Sequence, residues 1–284
     1  MDTDQQRRSS RGFAVVARLE PNLIRTLAPA AEAAGYQTFW VNDSVDADGL
    51  AALAVAAEAT SSIRLGVGAI PLDRMGPDEI ATQIDELGLP VTRLTVGVGS
   101  GGGAGALKRV RTGVAALRAL TNARIVVAAL GPRMSGLAGE IADGVLFDWH
   151  TPGSCAGSGR IVRDAALAAG RPAPAIAAYV FTALGSRGIA QLRGEVAHYS
   201  AYPSYRAQLA RMGAAPMETV VAAADREALD RGLAAFDAAL DETAVRAVAG
   251  EETSEAYLTL LAAAAPGAPE TTGISRRTGG PDEP

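Results

Sequence analysis

Cysteine and histidine are nearly absent from this chain of 284 residues, which carries one thiol, Cys155, and two imidazoles, His150 and His198. A single thiol excludes an internal disulfide and a multi-cysteine metal centre, and two histidines exclude a histidine-rich zinc site. Aromatic residues are also scarce, at 5% against 48% hydrophobic residues overall. The core must therefore be built mainly from Ala, Val, Leu and Ile, whose small side chains let helices pack closely on a sheet. Neither sign of charge dominates: the formal net charge of −5 is spread along the chain. That leaves no basic face for nucleic acid or an anionic membrane. No apolar run approaches the roughly 20 residues needed to span a bilayer. The stretch after Arg7-Arg8 is interrupted by Arg18 and is too short for a secretory core. These absences lead to the expectation of a soluble, cytoplasmic protein whose partner is a small molecule.

What is present is an alternation of strand-like and helix-like segments. Phe13 to Arg18 reads as a strand, and Glu20-Pro21 opens a helix through Leu23, Ile24, Leu27 and Ala31, which Pro29 should bend. Thr38 to Asn42 is a second strand, and Asp48 is placed to cap the helix after it. Ile63 to Ile70, Arg93 to Val98, Ile125 to Val127 and Val145 to Phe147 continue the series, each followed by a helical period. Ala175 to Phe181 is a seventh strand. Seven parallel strands fit an open doubly wound sheet or a barrel one strand short. From Arg187 to Ala264 the pattern reads almost wholly as helix, and 270–274 is the best place for an eighth strand. The expected organisation is a disordered tail over 1–11, one domain over 12–275 and a second tail over 276–284.

Five segments in order carry a resemblance. Ala30-Ala-Glu-Ala-Ala-Gly-Tyr-Gln-Thr-Phe-Trp-Val-Asn-Asp43, Leu53 to Gly68, Arg93-Leu-Thr-Val-Gly-Val-Gly-Ser-Gly101, Ala128 to Phe147, and Tyr199 to Gly213 are similar to the bacterial luciferase-like family. Its F420-dependent branch is the most similar part. The resemblance implies an α/β (β/α)8 TIM barrel with a degenerate last strand and a helical excursion after strand seven. It also implies an F420- or FMN-dependent oxidoreductase, commonly a homodimer.

In such a barrel, chemistry gathers at the C-terminal ends of the strands. By resemblance, the ring-binding candidates are Asn42 and Asp43 after strand two, and Gly68 and Ala69 after strand three, where relatives carry a non-proline cis peptide. Gly97, Gly99, Ser100 and Gly101 after strand four join them, as do Leu130, Gly131, Pro132 and Arg133 after strand five. Bare glycine backbone lets N–H groups approach an anion or a flat ring, and the Arg133 guanidinium suits a phosphate or the acidic tail of F420. The alternative for the glycines is a flexible turn, for Asp43 a helix cap, and for Arg133 an exposed residue at a helix start. Three residues are candidates for proton transfer: His150 following strand six, Asp43, and Glu20, which can also simply cap a helix. His198 and the Tyr199, Tyr202, Tyr205 series read as helix packing.

Departures from the family narrow the chemistry. Related F420-dependent sugar dehydrogenases carry Asp-His after strand two and a Glu after the fourth-strand loop, where this chain has Asp43-Ser44 and Gly102. Sugar-alcohol oxidation by that scheme is not expected, and the short fourth loop reshapes the mouth. The leading expectation is an F420-dependent hydride transfer to or from a small organic substrate. FMN-dependent monooxygenation, a cofactor-free partner subunit of the same fold, and an unrelated βα enzyme with a phosphate ligand are the alternatives.

Overall fold

The computed structural model describes residues 9–267. Strands β1 (Ser10–Val16), β2 (Thr38–Asn42), β3 (Arg64–Pro71), β4 (Leu94–Gly99), β5 (Arg124–Ala129), β6 (Gly144–Asp148), β7 (Ala175–Leu184), β8 (Val221–Ala223) and β9 (Glu242–Ala247) all pair in parallel. The order runs β6-β5-β4-β3-β2-β1-β9-β7, and β6 pairs with β7 to close the ring. Eight strands make a closed TIM barrel, and short β8 is an extra that pairs with the end of β7.

Helices α1 (Pro21–Ala33), α2 (Gly49–Ala59), α3 (Pro77–Glu86), α4 (Ala106–Leu120), α5 (Pro132–Ile141), α6 (Pro152–Ala168), α7 (Gly185–Ser200), α8 (Pro203–Met212), α9 (Arg226–Asp237) and α10 (Ser254–Ala263) connect the strands. Proline sits in the first turn of α1, α3, α5, α6 and α8, where its missing N–H has no helical partner to lose. Asp48 caps α2 as expected, accepting from the Leu50 and Ala51 amides at 2.9 and 3.0 Å. Helix α1 runs through Pro29.

Two points of the sequence reading move. Ser10 and Arg11, expected in the leading tail, belong to β1, which pairs with β9. The barrel's last strand is Glu242–Ala247, inside the stretch read as helix, and it is fully paired with β1 and β7 rather than degenerate. The stretch 270–274 and the tail at 276–284 lie outside the described residues. Helices α7 and α8 are the expected excursion after strand seven.

Alternate residues of each strand divide between two cores. Outward side chains such as Phe13, Phe39, Leu65 and Val96 pack under the helices in the larger apolar cluster. Inward ones, including Ala14, Trp40, Val126, Leu146, Tyr179 and Ala244, fill the barrel. Glycine is required where the large rings lie: a Cβ at Gly66 would fall 2.3 Å from Trp40, and one at Gly12 would fall 2.7 Å from it. Trp40 thereby plugs the lower barrel, and the space left open lies above it, at the C-terminal ends.

Candidate active site

A pocket of about 420 Å³ opens at the C-terminal ends of β2 to β7. Eight of the residues singled out in the sequence line it: Asn42, Asp43, Ala69, Gly99, Ser100, Gly101, Leu130 and Gly131. Its inner side is Leu146, Asp148 and Tyr179, and α7 and α8 add Tyr199, Ser204 and Tyr205. The wall across β3, β4 and β5 is made of small groups. A Cβ placed on Gly99 would stand 3.6 Å from the Ala69 methyl and 3.9 Å from that of Ala128. Any larger side chain there would grow into the pocket.

The β3 end is irregular. Its register with β4 slips between Val67 and Ile70, and the Gly68–Ala69 peptide is cis, as the resemblance implied. The Gly68 carbonyl accepts from the Tyr179 hydroxyl at 3.1 Å, the Asp43 amide at 3.1 Å and the Asn42 side-chain amide at 3.2 Å. Three donors, from β7, the end of β2 and the residue after it, hold this end of β3 in place on one oxygen, leaving Ala69 on the pocket wall. Gly68 and Gly97 do not line the pocket. They serve close packing instead, since a Cβ on Gly97 would lie 2.8 Å from the Val67 carbonyl and one on Gly68 would lie 2.6 Å from Leu146.

Asp43 reaches the pocket with its carboxylate already engaged. One oxygen accepts from the Gly49 amide at 3.0 Å, the other is paired with Arg74, and the side chain is only 3% exposed. Burial raises its carboxyl above the usual range, while Arg74 and the Gly49 amide counteract the shift. It holds the β2–α2 turn and has no free oxygen for proton transfer.

The other two proton-transfer candidates lie outside the pocket lining. The His150 ring is buried, stacks on Phe147 at 4.6 Å between centroids, and its Nδ1 sits 2.8 Å from the Gln208 amide nitrogen and 3.0 Å from the Asp148 carbonyl. Burial lowers its pKa to about 4, so it is a neutral packing group at physiological pH. The expectation that it faces the mouth fails because β6 runs one residue further than expected, to Asp148. Asp148 points into the pocket, and the chain then turns through Trp149 at φ 53°, carrying His150 below the surface. Glu20 is exposed and precedes α1 without a capping hydrogen bond. Pro132 and Arg133 are exposed at the start of α5 and also outside the lining; the guanidinium near Gly131 belongs to Arg211, whose Nη2 donates to the Leu130 carbonyl at 3.2 Å.

Sequence reading missed Asp148. It sits in Phe147-Asp-Trp-His150, one position from strand core, where the imidazole drew the attention. One of its oxygens is buried without a partner, and the other lies 3.2 Å from the Tyr205 hydroxyl. Burial raises its carboxyl to about 7, against the opposing pull of Tyr205, Arg246 and the Trp149 backbone amide. Tyr199 and Tyr205, read as helix packing, line the pocket, whereas Tyr202 is 47% exposed. The signal for this group was the inward parity of β6, Gly144-Leu146-Asp148, which places the carboxyl on the barrel side.

Comparison with known proteins fits this geometry. Residues 7–122 match the model of the luciferase-like monooxygenase family. Over that stretch, somewhat under half of its length, the chain is similar to the luciferase-like family. The barrel superposes on an F420-dependent secondary alcohol dehydrogenase bound to an F420–acetone adduct, with a TM-score of 0.70 and 15% identity over 90% of this chain and 99% of that one. It also superposes on the F420-dependent tetrahydromethanopterin reductase of Methanopyrus kandleri (0.66, 16%, 89% and 97%). A third likeness is to the FMN-bound oxygenating component of 3,6-diketocamphane monooxygenase from Pseudomonas putida (0.66, 13%, 91% and 97%). At these identities the likeness is one of fold. No curated protein matches in sequence. Among the described residues no cluster of His, Cys, Asp and Glu could hold a metal ion, and no helix is long and apolar enough to cross a membrane.

Proposed function

We propose that the pocket holds the flat tricyclic ring of F420, with FMN as the alternative, and that the chain is an oxidoreductase passing a hydride between that ring and a small organic substrate. The observation that carries this reading is the convergence of eight separately chosen residues, from the ends of four strands, on one pocket. The residues fit such a ring. Ala69, Gly99 and Ala128 offer a wall that any larger side chain would fill, and Leu146 and Tyr179 give apolar surface on the inner side beside Asp148. Helix α5 starts at the rim with no side chain on its first amides, next to Arg211, and suits the anionic part of either cofactor. Two of the structural neighbours are F420-dependent and one was solved with FMN, so the fold accommodates both rings.

The ring supplies the hydride chemistry when bound. The protein's part is position and environment: the β3 end held by Tyr179, Asn42 and Asp43 keeps Ala69 on the pocket wall, and α7 and α8 shield the pocket with Tyr199 and Tyr205. The homodimer implied by the resemblance belongs to the same proposal and is checked by sedimentation.

Equilibrium binding of purified F420 and FMN, followed by ring fluorescence, tests the reading. Saturable F420 binding is expected, and Gly99→Leu should weaken it at least tenfold with the fold intact, because the new side chain occupies the ring's space. Binding of FMN alone would replace F420 by FMN; binding of neither would overturn the reading.

A further inference from the structure

We propose that Asp148, with Tyr205 as its outlet, is the proton-carrying group of this pocket, serving a substrate whose carbonyl oxygen gains a proton, or whose hydroxyl loses one, as carbon exchanges a hydride. The inference rests on the ring-binding reading above and adds the group that completes the reaction and the substrate class it selects.

Geometry leaves few candidates among the described residues. The pocket lining has two carboxyl groups, and both oxygens of Asp43 are engaged by Gly49 and Arg74. The Tyr179 hydroxyl is spent on the Val41 and Gly68 carbonyls, and that of Ser100 on the Gly101 carbonyl. Asp148 has one oxygen buried with no partner and the other 3.2 Å from the Tyr205 hydroxyl, which itself lines the pocket. A carboxylate with an unpaired buried oxygen is poorly solvated, whereas the neutral acid tolerates the same place. Charged and titratable neighbours reinforce this balance. Tyr179 on β7, Tyr199 on α7 and Tyr205 on α8 are all pushed above their usual values and stay neutral. His150 on the same segment is also neutral, and Arg246 on β9 is the one cation that favours the ionised form. The acid therefore ionises near neutrality, where a proton can move in either direction.

In the reducing direction the substrate carbonyl carbon would gain the hydride, a proton with two electrons, that the bound reduced ring supplies. The π pair of the C=O bond moves to oxygen. That oxygen takes a proton from Asp148, directly or by way of Tyr205: the phenol gives up its proton as the carboxyl replaces it. The product is an alcohol, Asp148 is reprotonated from water at the mouth, and that water would also take up the N–H proton that the ring loses on returning to its oxidised form. The oxidation of an alcohol runs through the same steps in reverse.

Two substrate-free measurements test the ionisation on the full-length protein. Infrared titration should show a carboxylic-acid band disappearing with a midpoint near pH 7, absent in Asp148→Asn. Affinity for F420, or for FMN if that is the ring bound, should fall about tenfold between about pH 5.5 and about pH 8.5, because ring and carboxylate compete for an unsolvated space; in Asp148→Asn it should be flat. For the transfer itself, reduced F420 (or reduced FMN) with acetone is the probe pair. Asp148→Asn should slow its single turnover by at least about a hundredfold, with the pH break near neutrality gone. Tyr205→Phe should slow it about tenfold and keep the break. Ring binding in both variants, measured at about pH 6, should stay within threefold of wild type. A missing infrared band, a parallel pH dependence of binding in Asp148→Asn, or wild-type reduction of acetone by the ring-bound variant would each overturn the proposal while leaving the ring site standing. Absence of ring binding in the wild type would instead sink the reading beneath it.

Discussion

Two carboxyl groups are buried in the barrel, one at each end, and they live very differently. Glu242 lies at the lower end, where the indole N–H of Trp40 donates to it at 2.8 Å and the Thr38 hydroxyl joins it. Asp148 lies at the upper end with one oxygen unpartnered, and its carboxyl has the Tyr205 hydroxyl and the Trp149 backbone amide for support. Burial raises both carboxyls above their usual range. At the lower end the hydrogen bonds belong to the residues that plug the barrel, so the acid is structural. At the upper end the acid lines the pocket and one of its oxygens is buried without a partner. A satisfied buried carboxyl marks packing, and an unsatisfied one beside a cavity marks chemistry.

The largest test of this contrast is Trp40→Ala. It empties the lower barrel and removes Glu242's donor in one step, and should cost about 3–5 kcal/mol in denaturant unfolding. A loss below about 1 kcal/mol would mean that Trp40 is not the plug. The next effect is the pH dependence of Asp148→Asn. The native carboxyl titrates near 7, above its unfolded value of about 3.9. Below the unfolded value both states hold the proton and burial adds nothing. As pH rises from there through about 7 the unfolded state gains by ionising while the native one lags, so wild-type stability falls. The amide escapes that loss, and by about pH 8 the variant should be more stable than wild type by about 1–3 kcal/mol, with no such gain at about pH 4. Melting curves across that range decide it, and a constant difference at every pH would break the contrast. The smallest effect is that of Glu242→Gln, which keeps an acceptor for Trp40. It should change stability by less than about 1 kcal/mol and leave ring binding unaltered. A loss of ring binding there would show that the lower acid is not merely structural.

The first six βα units were legible because their strands are apolar runs bounded by glycine, as expected where both faces of a parallel sheet are buried. The closing strand escaped notice for a physical reason. Glu242-Thr-Ala-Val-Arg-Ala247 points a carboxyl and a guanidinium into the barrel, so its inward face is polar where parallel strands are usually apolar. It also follows Leu229, Leu233, Phe236 and Leu240, whose helical spacing leads straight into it. Thr243 and Val245, β-branched and alternating after the turn at Asp241, were the available signal.

At the site, the glycines and small residues at the ends of strands two to five were readable because their role depends on backbone shape, which local sequence states directly. Side-chain direction was not. His150 and Asp148 are two residues apart, and a φ of 53° at Trp149 separates a packed ring from a pocket carboxyl. Tyr199 and Tyr205 reach the pocket because α7 and α8 fold back over it, and the contact of Tyr205 with Asp148 is made across 57 residues of chain.

Sequence by itself determined the alternation of strand and helix, the small-residue core and the glycine-rich edges, since these follow from side-chain size, period and backbone freedom within a few residues. Only the tertiary structure decided which strand closes the barrel and which acid keeps a bare oxygen. Those outcomes depend on how distant segments solvate, or fail to solvate, a buried charge, and no local pattern encodes that.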